Sequence, residues 1–389
     1  MEEYVSQLVK SFETYHQEKA QYVFSCGGRF EILGNHTDHN HGLCIASACN
    51  LDITAVVSKK EGDKVVLKSI GYPEDDVSLS SLEVDALLFG SSSALIKGVA
   101  AYLIEEGYKV GGFVAYTSSS IFKGAGVSSS AAFEILIGHI FNVLYNNGEI
   151  PKLVLCKAGQ YAENVYYGKK CGLLDQIGVC YGGVVSIDFE DVDNPVINQI
   201  EFPFDDLHFV LINTGGDHSS LSDLYASIPN DMISAANEMK GRYLRECSKE
   251  QLEEVKHSLK EDEYLRAKHF FDENERVKVA LEAIKNKDKE LFLKQINNSR
   301  LSSATNLKNM MVASYYENSP QQACDLVMEA SEHTGAVKIN GGGFAGSVIA
   351  LIEKKYLNNV IAKLSKKYGE ENVKEIFIRN EGPKTIYKF

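Results

Sequence analysis

The sequence has only seven prolines, no run of about 20 apolar residues and no Cys-x-x-Cys pair. The missing apolar run excludes a membrane-spanning helix. The scattered placement of the eight cysteines excludes the usual zinc spacings and favours reduced, mostly buried thiols. Positive charge is also scarce: 40 Lys and Arg residues stand against 53 Asp and Glu residues, and the net charge of −13 opposes nonspecific binding to nucleic acid or anionic membranes.

The first residues, Met1 to Tyr4, contain neither a cationic segment nor an apolar one. We therefore expect a soluble, cytoplasmic protein that acts on a small molecule and has no nucleic-acid or membrane partner. The sequence gives no indication of the oligomeric state.

Length and pattern predict a mixed α+β protein with two domains. A chain of 389 residues exceeds what one hydrophobic core usually organises. Strand-like and helical patterns alternate in the first half, and helical patterns dominate after residue 229. The turn-forming segment 191–195 sets the predicted domains at 1–195 and 196–389. The strand-like runs are 53–57, 64–67, 112–116, 184–189 and 209–212, and the helical patterns include 92–106, 131–146 and 151–167.

Residues 124–132, Gly-Ala-Gly-Val-Ser-Ser-Ser-Ala-Ala, are the most informative motif. Glycines let backbone amides converge, and the helix that follows adds unpaired N–H groups and the positive end of its dipole. The motif predicts a phosphate-binding loop, but not a Walker loop, because Gly-Lys-Ser and Gly-Lys-Thr are absent. The alternative is that the serines only cap the helix. The candidate phosphate ligands are Gly124, Gly126, Ser128, Ser129 and Ser130.

A second polar cluster spans residues 27–42 and contains imidazole, amide, hydroxyl and carboxylate groups between glycines. Such groups can donate to and accept from the hydroxyls of a sugar, which makes a carbohydrate site the favoured interpretation. The alternative takes His36, His39 and His41 as ligands of a transition metal.

A third cluster, residues 341–346, formally matches the Gly-x-Gly-x-x-Gly dinucleotide-binding fingerprint. That fingerprint should open a helix, whereas residues 347–352 are strand-like. We therefore expect a glycine-rich hairpin turn, with its glycines at positive φ.

Taken in order, these clusters and the segment 162–176 resemble the signatures of the GHMP small-molecule kinases, and especially their galactokinase branch. The resemblance covers nearly the whole chain. It implies a two-domain GHMP kinase fold with the active site in the cleft, and ATP-dependent phosphorylation of the anomeric hydroxyl of galactose or a related sugar. It also implies that Asp175 is the catalytic aspartate and that Arg29 is its partner. Without the resemblance, a structural ion pair would be the simpler interpretation of these two residues.

The resemblance further implies the remaining ligands. Ser130 and Glu163 fall on the positions that hold Mg²⁺, a cation that prefers oxygen ligands. Sugar contacts fall on His36, Asp38, Gly172 and Tyr225, and the last of these is aligned through His218.

Asn35 is also a candidate sugar-binding residue, and here this sequence departs from the family, which has a glutamate at this position. Asparagine offers one acceptor and two donors in place of a charged acceptor, so we expect sugar binding with altered selectivity. A uronic acid or N-acetylgalactosamine is an alternative substrate, and a catalytically weak sensor of sugar and ATP is an alternative function. An enzyme that depends on a transition metal or a dinucleotide is the third hypothesis.

Overall fold

The structure is a computed structural model that describes residues 2–215, 221–312 and 315–389. Helices and strands are both abundant, so the predicted α+β class is confirmed. No helix within these ranges is long and apolar enough to cross a membrane.

The strands are β1 (Tyr22–Leu33), β2 (Leu43–Lys59), β3 (Lys64–Ser69), β4 (Glu74–Ser78), β5 (Phe113–Ser119), β6 (Val184–Asp188), β7 (Val196–Ile200), β8 (Leu207–Asn213), β9 (Ala336–Asn340), β10 (Ser347–Glu353), β11 (Val373–Ile376) and β12 (Lys384–Lys388). The helices are α1 (Glu3–His16), α2 (Ser92–Glu105), α3 (Ser129–Tyr145), α4 (Lys152–Tyr161), α5 (Leu174–Tyr181), α6 (Ser222–Glu238), α7 (Lys249–Val255), α8 (Glu261–Lys285), α9 (Lys289–Ser302), α10 (Pro320–Ala330) and α11 (Lys354–Tyr368).

The larger sheet has eight strands in the order β12-β1-β2-β5-β3-β4, with β6 paired to β2 and β7 paired to β6. The strand β2 is 17 residues long, so its first part pairs with β6 and its last part with β5. The helix α3 packs on this sheet through Leu136, Ile137 and Ile140, which are fully buried, as the spacing of its apolar residues predicts. These contacts give the start of α3 a rigid base.

The smaller sheet has four antiparallel strands in the order β11-β8-β10-β9. Residues 341–346 connect β9 to β10, and Asn340 faces Ser347 across the hairpin. Gly341, Gly343 and Gly346 have φ of 85°, 88° and 93°, where glycine is strongly preferred. The third glycine cluster is therefore a turn between two antiparallel strands, as predicted.

The two sheets meet where β1 passes β9. Apolar residues form a shared core at this junction, and the rings of Phe30 and Phe209 lie 4.9 Å apart. Within it, Lys338 Nζ donates to Glu31 Oε1 at 2.6 Å, and the side chains of the pair are only 0% and 4% exposed. Burial raises the pKa of Glu31 even with Lys338 beside it.

The domain boundary between residues 195 and 196 stays a prediction. The larger sheet takes in two strands that lie beyond it in the sequence, β7 directly after the boundary and β12 at the end of the chain.

The buried pair gives a test of how the two sheets are held together. We expect Lys338→Met to lower the free energy of unfolding by about 3–5 kcal/mol, because it leaves the Glu31 carboxylate buried without its cation. Urea-induced unfolding monitored by circular dichroism measures this change.

The exposed pair of Lys64 and Asp76, at 2.9 Å and 60% and 53% exposure, supplies the control. Lys64→Met should cost less than about 1 kcal/mol. Equal losses in the two variants would contradict this account of the junction.

Candidate active site

The predicted phosphate loop lies between β5 and the start of α3. Gly124 and Gly126 have φ of 79° and 70°, and a Cβ at Gly126 would lie 2.0 Å from Ser347 Oγ. Among the described residues, no acceptor takes the backbone N–H groups of Gly126, Val127 and Ser128. The loop and the first turn of α3 thus present free donors, which is the arrangement that binds an anion.

Ser128 is the N-cap residue of α3 and has a φ of 56°, but its side chain does not cap the helix. Its hydroxyl donates instead to Asp175 Oδ2 at 2.5 Å. The helix-capping alternative is therefore wrong for this serine. The side chain of Ser129 is exposed and makes no hydrogen bond to the described residues.

Arg29 and Asp175 form a direct ion pair, with Arg29 Nε 2.7 Å from Asp175 Oδ1. The guanidinium also donates from Nη1 to Gly126 O at 2.8 Å. The Asp175 side chain is 28% exposed, whereas that of Arg29 is only 6% exposed. The Asp175 carboxylate therefore remains accessible to a ligand, while the buried Arg29 side chain is held in place by the protein.

Close backbone approaches set this geometry. Arg29 N donates to Val127 O at 2.9 Å, and a Cβ at Gly28 would lie 2.5 Å from that same oxygen. Asp175 lies in the first turn of α5, and a Cβ at Gly178 in the same helix would lie 3.1 Å from the Arg29 Cβ. Two small residues thus bring the loop and α5 against β1.

The electrostatics keep Asp175 ionised. Burial opposes the charged carboxylate, but Arg29, Ser128 and Lys169 together outweigh burial, so the pKa of Asp175 lies below its ordinary value. Ionised Asp175 can accept a proton from a substrate hydroxyl.

A second carboxylate lies beside the phosphate loop. Ser130 Oγ donates to Glu163 Oε1 at 3.1 Å, and Lys169 Nζ donates to the same oxygen at 2.8 Å. Gln176 Nε2 bridges Glu163 Oε2 at 3.3 Å and Glu134 Oε2 at 3.0 Å. Burial and the nearby Glu163 raise the pKa of Glu134 well above its ordinary value.

Ser130 and Glu163, predicted as metal ligands, are therefore in contact. A hydroxyl and a carboxylate are suitable oxygen donors for Mg²⁺. Among the described residues, no group of three or more His, Cys, Asp or Glu side chains could hold a metal ion. The structure thus gives no support to a transition-metal site at His36, His39 and His41.

Two of the predicted sugar ligands contact the glycine turn between β9 and β10. His36 Nε2 donates to Gly342 O at 2.8 Å, and burial lowers the pKa of His36 to about 3, so its imidazole is neutral. Tyr225 Oη donates to Gly343 O at 2.7 Å, and burial raises its pKa to about 12. His218 lies outside the described residues.

Asp38 and Gly172, two further predicted sugar ligands, approach each other. A Cβ at Gly172 would lie 2.1 Å from Asp38 Oδ2, so only glycine fits beside this carboxylate. The imidazole Nε2 of His39 lies 3.8 Å from Asp38 Oδ1, beyond hydrogen-bond distance. Asp38 therefore keeps acceptor capacity for a ligand.

Asn35 is 1% exposed, and its amide is engaged by the protein. It donates to Gly341 O at 2.7 Å and accepts from Asn309 Nδ2 at 3.1 Å. Asn35 therefore connects the polar cluster of residues 27–42 to the glycine turn.

Residues of α8 support the polar cluster of residues 27–42 through hydrogen bonds, and the sequence did not predict them. Glu273 Oε1 accepts from Gly34 N at 3.0 Å and from Asn35 N at 3.3 Å, and His269 Nε2 donates to Asn35 O at 2.9 Å. Burial opposes the charge of Glu273, but Arg276, His269 and the hydrogen-bond donors around the carboxylate together lower its pKa to about 2. Their helical spacing could have indicated them. His269, Glu273 and Asn274 are polar residues on the same buried side of α8 as the apolar Phe270 and Val277.

Two family models match this chain. The galactokinase galactose-binding signature matches residues 10–59, and the GHMP kinases N-terminal domain matches residues 90–183. A galactokinase from Clostridium tetani is 30% identical over 94% of this chain and 93% of its own. A galactokinase from Fusobacterium nucleatum is 28% identical over 96% and 97% of the two chains.

Solved structures agree on the fold. The Lactococcus lactis galactokinase complexed with galactose superposes with a TM-score of 0.85 at 23% identity, over 98% of this chain and 100% of that one. A mevalonate kinase reaches a TM-score of 0.65 at 17% identity, over 92% and 99% of the two chains. The family models and a 30%-identical relative that spans nearly the whole chain lead to one conclusion: this protein belongs to the galactokinase family of GHMP kinases.

Proposed function

We propose that this protein is an ATP-dependent kinase that phosphorylates the anomeric hydroxyl of galactose, or of a closely related sugar, to give the sugar 1-phosphate. The observation that carries the proposal is the position of Asp175. One of its oxygens accepts from Arg29 on β1, and the other accepts from Ser128 in the phosphate loop. A hydroxyl bound at this carboxylate therefore lies next to the loop that would hold the terminal phosphate.

The residues suit the chemistry of phosphoryl transfer, in which the protein mainly positions the reactants and stabilises charge. Asp175 accepts the proton of the sugar hydroxyl as that oxygen bonds to the terminal phosphorus. The bond from this phosphorus to the bridging oxygen breaks, and ADP leaves. Arg29 keeps Asp175 ionised and stabilises negative charge at the reacting group.

ATP and Mg²⁺ are the ligands that fit the loop. The free N–H groups of the loop and of the first turn of α3 suit phosphate oxygens. Ser130 and Glu163 would hold Mg²⁺, which neutralises the charge of the nucleotide phosphates when bound.

The sugar would bind in front of the glycine turn. Asp38, beside Gly172, would accept hydrogen bonds from sugar hydroxyls, and His36 and Tyr225 would line the site from their positions on the turn. A free sugar in the cytoplasm, rather than nucleic acid or a membrane, is the partner that this proposal requires.

The first prediction concerns Asp175. We expect Asp175→Asn to lower kcat by about 100-fold or more, because the variant cannot accept the hydroxyl proton. Sugar-dependent ADP release with galactose measures kcat. Circular dichroism checks that the variant is folded, because the amide keeps the shape of the side chain but leaves the buried Arg29 without its anion.

Binding measurements complete this test. The variant should still bind galactose and a non-hydrolysable ATP analogue. Near-normal turnover would remove Asp175 from the mechanism, and a wild-type protein that binds both ligands without forming product would identify a sensor instead of a kinase.

The second prediction concerns sugar selectivity at Asn35. A glutamate at this position cannot donate to Gly341 O, and its charge would be repelled by Glu31 and Glu273, both of which contact Asn35. The new carboxylate should turn toward the sugar and favour galactose. We expect Asn35→Glu to raise the kcat/KM for galactose relative to the other sugars by roughly tenfold, the value of one hydrogen bond to a charged group.

A turnover panel of galactose, galactosamine derivatives, arabinose, glucose and uronic acids measures this ratio. Asn35→Gln, which keeps a neutral amide, is the control and should leave the ranking of the sugars unchanged. An unaltered ranking in Asn35→Glu would contradict the role given to this position.

A further inference from the structure

The ammonium group of Lys169 forms an ion pair with the carboxylate of Glu163, which the proposed function assigns to Mg²⁺. Lys169 Nζ lies 2.8 Å from Glu163 Oε1, the same oxygen that accepts from Ser130 Oγ at 3.1 Å. The Glu163 side chain is 1% exposed, whereas that of Lys169 is 62% exposed. The ammonium therefore stands at the open side of a buried carboxylate, directly beside the first turn of α3.

The backbone fixes Lys169 in this place. The chain leaves α4 through one π-helical turn, Ala162–Tyr167, which ends at Gly168 with a φ of 82°. Lys169 N then donates to Glu163 O at 3.0 Å. The main chain and the side chain of Lys169 thus both contact Glu163. The backbone turn therefore positions this ion pair, unlike a contact between two mobile surface side chains.

The charge of Lys169 acts on the reacting groups. It is one of the influences that lower the pKa of Asp175, after Arg29 and Ser128. The same charge opposes the burial that raises the pKa of Tyr225. A cation whose charge reaches both Asp175 and Tyr225 is close to the place where the proposed function puts the terminal phosphate.

The other cation of the site is less available. Arg29 already donates to Asp175 and to Gly126 O, and its side chain is almost fully buried. Lys169 has a flexible stem with three donors, which suits a group that must change partners. Its present partner, Glu163, would gain a new cation when a divalent metal arrives with the nucleotide.

We propose that Lys169 is a phosphate-binding residue that pairs with Glu163 in the empty enzyme and moves to the terminal phosphate oxygens when the metal nucleotide binds. This inference rests on the proposed function. It assigns to Lys169, directly after Gly168, a role in holding the triphosphate, in addition to the loop of residues 124–130.

Calorimetric titration tests this role without turnover. We expect Lys169→Met to weaken binding of Mg²⁺ with a non-hydrolysable ATP analogue by about tenfold, the effect of one charge-assisted hydrogen bond. Binding of AMP, which lacks the terminal phosphates, should change by less than twofold. Lys169→Arg should restore much of the affinity because it restores the charge.

Lys170 provides the matched control, since it is exposed and makes no ion pair with the described residues. Lys170→Met should leave the affinity for the analogue within about twofold of wild type. Equal affinity for the analogue in Lys169→Met and wild type would overturn the proposal, and so would an equal loss for AMP and for the analogue. Should Lys169→Met fail to fold, Lys169→Gln keeps a donor to Glu163 while it removes the charge, and the same outcomes apply.

The wild-type protein separates this proposal from the proposed function. If wild type binds the analogue and forms sugar phosphate while Lys169→Met matches it in binding, the inference about Lys169 is wrong and the kinase assignment stands. If wild type binds no nucleotide, the kinase assignment itself is wrong.

Discussion

The carboxylate of Asp175 joins three parts of the chain that have different tasks. It comes from the first turn of α5, pairs with Arg29 on β1 and accepts a hydrogen bond from the hydroxyl of Ser128 at the start of α3. A buried ion pair gains little net stability, because desolvation offsets the attraction between the charges. Its value here is positional, since the pair holds an ionised and accessible acceptor at the edge of an anion-binding loop.

This position depends on the junction between the two sheets. Gly126 O accepts from both Arg29 Nη1 and Asn340 Nδ2, so the phosphate loop is tied to β1 and to the end of β9 at one oxygen. The pair of Lys338 and Glu31 lies behind it, and Asn35 donates to the glycine turn in front. Contacts that stabilise the junction therefore also set the distances within the site, and small shifts between the sheets would move the proposed sugar ligands relative to the loop.

Local signals were sufficient for much of the fold and for the choice of motifs. The apolar spacing predicted α3, and the glycines before a strand-like run predicted the hairpin of residues 341–346. The pairing of Arg29 with Asp175 spans 146 positions and came from the family resemblance, because no local pattern encodes such a contact. Ser128 was predicted as an ATP ligand only, and its bond to Asp175 depends on a backbone conformation that the sequence does not specify. The supports from α8 were missed because they depend on tertiary packing.

The most direct test of the central claim is a crystal structure of the wild-type protein with galactose, Mg²⁺ and a non-hydrolysable ATP analogue. The account predicts that the anomeric oxygen lies within hydrogen-bond reach of the Asp175 carboxylate and about 3–3.5 Å from the terminal phosphorus. A sugar and a triphosphate bound in separate pockets, or an anomeric oxygen that faces away from Asp175, would contradict it.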